Sequence, residues 1–248
     1  MDKNSLFHFL KKIEWRLVGK IAFVTLMLLW ALGSDFAVIP VILFVLAPTI
    51  AYFSESPERR HFRASYFIMC IVALLGTMMT GGSEGVSFSS LLIIAIFAVG
   101  IAIEIGLFHF YFRSRMLVYG VFHIALMVAL FSVFFVAQLS LLSVLFILIS
   151  LILLFREFFA LANVQWRGRA LLMSVALGFF GTEIALLVRF MPLGFVNASA
   201  FLGLTMLLVR DAGRAHFEGA LNLPFILRSL AVFFILSVVI FSVSVWGI

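Results

Sequence analysis

The 248-residue chain is 65% hydrophobic and 11% charged, with a mean hydropathy of +1.26. Soluble domains run nearer half apolar and a quarter charged, and disorder requires low hydrophobicity, so an ordinary globular enzyme and a disordered chain are both excluded. A formal charge of +6 would suggest nucleic acid in a soluble protein. Here one-sided loop charge accounts for nearly all of it, and no nucleic-acid partner is expected.

At the N-terminus, Leu6, Phe9, Leu10, Ile13 and Leu17 share one helical face, with His8, Lys11, Lys12 and Arg16 largely around the other. Residues 1–16 therefore read as a cytoplasmic interfacial amphipathic helix, with a frayed cationic tail as the alternative. Residues 17–248 read as a single transmembrane domain. A membrane-spanning helix needs about 20 mostly apolar residues, and the apolar runs supply nine candidates. These are Leu17–Gly33, Phe36–Phe53, Ser65–Thr80, Phe88–Phe112, Met116–Ala137, Leu139–Phe155, Ala170–Leu187, Leu193–Val209 and Phe225–Trp246. None alternates polar and apolar as a membrane β-strand would. The expected fold is all-α: a polytopic integral membrane helix bundle of about nine transmembrane helices.

Short-loop lysines and arginines orient such a bundle. With nine spans, 16 of the 17 basic residues fall on one side, Arg189 being the exception. The opposite side holds Asp35, Glu84 and a turn at Gln138. The N-terminus is thus expected in the cytoplasm and the C-terminus outside. Basic clusters recur about every 50 positions, which two spans and two short turns produce without any duplication. The second span carries Pro40 and Pro48, which suggests a kinked or partly broken helix.

Two carboxylates stand out inside apolar runs, Glu104 and Glu183. A central acidic residue costs about 2.5–3.5 kcal/mol to insert, so each should face protein or water, or be protonated. Glu104 lies at nearly the same depth as His123 on the next, antiparallel span, and the two could pair. Such a pair could relay protons, bind a cation or act as acid and base; the structural alternative is that it pins two helices together. Glu183 and Arg189 do not share a helical face, so Arg189 is expected to reach outward to headgroups and Glu183 to find another partner, Asn197 being one. His109 lies near the inner rim, but no cluster with ligand spacing supports haem or a metal. Cys70, the single cysteine, excludes an internal disulfide or a cysteine metal centre. No cofactor is expected.

On the inner side, Arg59, Arg60, Arg63, Arg113, Arg115, Arg210 and Arg214 are candidate contacts for anionic lipid headgroups, since arginine forks suit phosphates. Ordinary topogenic charge explains the same residues. The segment Arg156–Arg169 reads as a loop, with Phe158, Phe159, Leu161 and Trp166 in the headgroup plane.

From Arg189-Phe-Met-Pro-Leu-Gly-Phe-Val-Asn-Ala-Ser-Ala-Phe through Arg210-Asp211, Ala215-His216, Arg228 and Trp246, the last sixty or so residues resemble a family of uncharacterised polytopic bacterial membrane proteins. That resemblance implies a bacterial inner-membrane location and no particular activity. Three functional classes are compatible with the sequence. A non-catalytic membrane subunit or scaffold with a membrane protein partner suits the sparse polar content best. The alternatives are a small transporter or channel using Glu104 and His123, with Glu183, and a lipid-headgroup enzyme at the cytoplasmic face. The enzyme would need a nucleophile and a base held together, and no such pair can be named.

Overall fold

The computed structural model describes residues 15–53, 63–80, 88–108, 115–162 and 167–243. The amphipathic segment expected over residues 1–16 lies outside them, save the first two residues of the first helix. Among the described residues there are nine helices and no strand: α1 (Trp15–Gly33), α2 (Val38–Phe53), α3 (Arg63–Thr80), α4 (Phe88–Phe108), α5 (Arg115–Val136), α6 (Leu141–Leu161), α7 (Arg167–Arg189), α8 (Phe195–Phe217) and α9 (Leu223–Val243). The helices α5 to α9 are long and apolar enough to cross a membrane, and shorter apolar stretches occupy α1 to α4. The described residues are all-helical, and the apolar helices make this a multi-pass membrane protein.

Each helix matches one of the nine apolar runs, but several ends move. Two extensions matter. The sixth run was expected to stop at Phe155, whereas α6 continues to Leu161. Phe158 and Phe159 are then buried within the protein, at 1% and 0% exposure, and do not face headgroups. The eighth run was expected to end at Val209, whereas α8 continues to Phe217 with Arg210 and Arg214 on it. Pro40 sits in the first turn of α2, where a missing N–H costs no helical bond. It is no source of a kink.

The contacts divide the chain into two compact units. The first holds α1, α2, α4 and the part of α3 from Met69 onward; α1 packs on α2 and on α4. Its core follows helical spacing: Val24, Leu28 and Ala31 on α1 and Ile94, Phe97 and Ile101 on α4 are buried. The Phe97 and Phe44 rings meet at 5.9 Å. A tight turn joins α1 to α2, with Phe36 N–H donating back to Ala31 O at 2.9 Å.

The second unit holds the start of α3, Arg63–Ile68, together with α5 to α9. There α6 packs on α7 and α5, α8 on α5 and α7, and α9 on α8. Lipid gives apolar side chains little reason to leave it, so close packing and polar contacts must hold these helices together. Ala170, Ser174, Gly178 and, one turn on, Gly181 and Ala185 form a small-residue stripe along α7. An added Cβ at Gly178 would collide with Ile152 of α6, and one at Gly203 of α8 with Val128 of α5. Backbones approach closely at both places because no side chain intervenes.

Turn chemistry fixes the ends. Ser140 caps α6 through a reciprocal pair of bonds with Ser143, which satisfies two groups at the helix start. Gly219, at φ 67°, closes α8, with Ala220 N–H reaching Ala215 O at 2.8 Å; a side chain there would be strained. Asn222 Oδ1 then accepts from Phe225 N–H at 2.9 Å and starts α9.

Candidate functional site

The polar interior of the second unit centres on a carboxylate that the sequence reading leaves out. Glu157 follows Phe155 and Arg156, and a span ending at Phe155 consigns it to a loop. On the continuing helix it falls three residues beyond Leu154 and seven beyond Ser150, both buried, so it takes the same inward face. Arg156, one residue earlier, is exposed. The signal was present in the apolar spacing of α6, and the charged neighbour concealed it.

Glu157 is 6% exposed and serves the first turn of α3. Its Oε2 accepts from the Ser65 N–H at 2.9 Å, and its Oε1 from the Ser65 hydroxyl at 2.6 Å. The Ala64 N–H and the Tyr119 side chain interact with the same carboxyl group. A helix start presents unpaired N–H groups and the positive end of the helix dipole, so an acidic side chain there answers both needs. The cap comes from 92 residues away.

His123 is fully buried on α5. Its Nε2 lies 3.1 Å from Leu154 O; a carbonyl oxygen only accepts, so Nε2 carries the proton and donates. The ring sits among Tyr119, Phe155 and Phe158, with centroids 5.4–6.1 Å apart. Nδ1 finds no hydrogen-bond partner among the described residues. The pairing of Glu104 with His123 expected from depth falls outside the described residues, because nothing of the Glu104 side chain is described.

Arg210, expected at the lipid headgroups, is 5% exposed. Its Nη1 donates to Gly120 O on α5 at 3.0 Å, its Nε donates to Asp211 Oδ1 at 2.9 Å, and its guanidinium lies 4.4 Å over the Phe158 ring. Arg214 pairs with Glu218 one turn on, at 2.6 Å and partly exposed. The side chains of Arg59, Arg60, Arg63, Arg113 and Arg115 lie outside the described residues.

Toward the other end, Arg189 does not reach out to headgroups as the sequence suggests. Its Nη1 donates to Phe134 O and its Nη2 to Ala137 O, both at 2.8 Å. The fork closes the C-terminus of α5, where carbonyls lack helical partners. This gives Arg189 a structural task. Glu183 is exposed on α7, and Asn197 is half-buried on α8. No group of three or more His, Cys, Asp or Glu side chains that could hold a metal ion occurs among the described residues.

The geometry can fasten helices strongly. The Ser65 hydroxyl that rests on the Glu157 carboxylate is itself buried, at 0% exposure, and no metal-ligand set occurs among the described residues. Comparison with protein-family models, with curated proteins and with solved structures finds no match.

Proposed function

We propose that the protein is a non-catalytic subunit or scaffold of a bacterial cytoplasmic membrane. It crosses that membrane nine times, with the N-terminus inside and the C-terminus outside. The orientation rests on the basic residues, 16 of 17 on one side.

One observation carries the functional reading. Among the described residues, the buried Glu, His and Arg side chains of the second unit each end on another helix of that unit: Glu157 of α6 on α3, His123 of α5 on α6, Arg210 of α8 on α5. Intramembrane charge is expensive and is retained for a reason; here its hydrogen bonds go to assembly. A transporter using Glu104, His123 and Glu183 has less in its favour, since His123 is engaged with Leu154 O and Glu183 is exposed. The helix α9 leaves every described residue but Ser237 partly or fully exposed, an apolar flank open to a membrane partner.

Native mass spectrometry of the protein, extracted within patches of its own membrane, tests the reading. A stoichiometric protein partner is the expected result. A chain that travels alone, or a Glu104→Gln variant that folds yet loses an ion-coupled flux in vesicles, would overturn it.

A further inference from the structure

At the foot of α5, α8 and α9 a groove of about 640 Å³ opens within the second unit, a volume within the range of small-molecule sites. It has two distinct parts. One wall is apolar: Leu117, Val121 and Ile124 follow one another at helical spacing along α5, and Phe225 of α9 joins them. Leu117 and Val121 are 65% and 61% exposed. The other part is charged, with Arg210, Asp211, Arg214 and Glu218 all lining it. It lies where the apolar run of α8 gives way to charged residues, which is the headgroup level of a membrane-spanning helix.

The charges balance, two of each sign. Arg210 is held at the back by Gly120 O and Asp211. Arg214 uses only its Nε, on Glu218, so four guanidinium N–H groups stay available to grip the two free oxygens of a phosphodiester. Glu218 and Asp211 are 46% and 44% exposed, and each bonds its arginine through one oxygen, leaving the other for an ammonium group. A purely anionic headgroup would meet these two carboxylates. A headgroup with one phosphate and one primary amine suits the exposed pair, the phosphate on the free Arg214 N–H groups and the ammonium on the free oxygen of Glu218, and its acyl chain fits the Leu117–Val121–Ile124 stripe.

We propose that this groove binds one phospholipid of the phosphatidylethanolamine type, its headgroup against the Arg214–Glu218 pair and one chain along α5. The full-length protein in detergent, titrated with dioleoyl phosphatidylethanolamine and read by native mass spectrometry, tests the assignment. One lipid should bind at least about tenfold more tightly than dioleoyl phosphatidylglycerol. Arg214→Gln should weaken it about tenfold or more, the loss of one charge-assisted hydrogen bond. Glu218→Gln should remove the preference over phosphatidylglycerol. Both positions are exposed enough for the variants to keep the parent's thermal midpoint. Equal or tighter binding of phosphatidylglycerol to the parent protein, or unchanged binding in both variants, overturns the proposal. So does equal affinity for soluble glycerophosphoethanolamine, which would leave the apolar wall without a role.

Discussion

At Arg189 one side chain closes a helix to which it does not belong. Its guanidinium takes the Phe134 and Ala137 carbonyls together, a planar fork that a lysine ammonium cannot reproduce. Arg189→Lys should therefore cost about 1 kcal/mol or more, and Arg189→Ala about 1.5–3 kcal/mol, in thermal unfolding in detergent. The exposed Arg156→Ala should stay within about 0.5 kcal/mol of the parent. Residue identity was fully legible in the sequence here; the partners were not. Nothing local tells Arg189 from an arginine that reaches headgroups, because its acceptors lie 55 and 52 positions away. Glu157 differs, since its inward face could be read from Leu154 and Ser150. Its partner Ser65 could not.

The helices themselves follow from the apolar runs, and their positions were legible because lipid leaves no other place for such segments. Ends were less so. A charged residue reads as a boundary, yet successive residues on a helix point about 100° apart, so α6 continues through an exposed Arg156 to a buried Glu157. The close contacts between elements were also hidden. Gly178 has the Ile152 side chain and, at 3.2 Å, the Ile152 backbone nitrogen where a Cβ would go. The contact cannot be relieved by moving a side-chain tip. Gly178→Ala should lower stability by about 1–3 kcal/mol. In contrast, Gly168→Ala, which meets nothing within 4 Å, should be neutral or stabilising by up to about 1 kcal/mol. Equal thermal midpoints for the two variants would deny the close approach of α6 and α7.

For the whole molecule, nine spans put the turns at Asp35 and Gln138 outside and His216 inside. On a Cys70→Ala background, cysteines at Asp35 and Gln138 should react with an impermeant maleimide in intact cells, and one at His216 only after permeabilisation. The reverse pattern would invert the topology. The functional reading rests on buried charge being used to hold helices together, and the bond between Glu157 and Ser65 is its clearest instance. A double-mutant cycle with Glu157→Gln and Ser65→Ala, measured by reversible unfolding in detergent, tests that claim most directly. A favourable coupling of about 1–3 kcal/mol is predicted. Simple additivity, with the double substitution costing the sum of the two single ones, would contradict it.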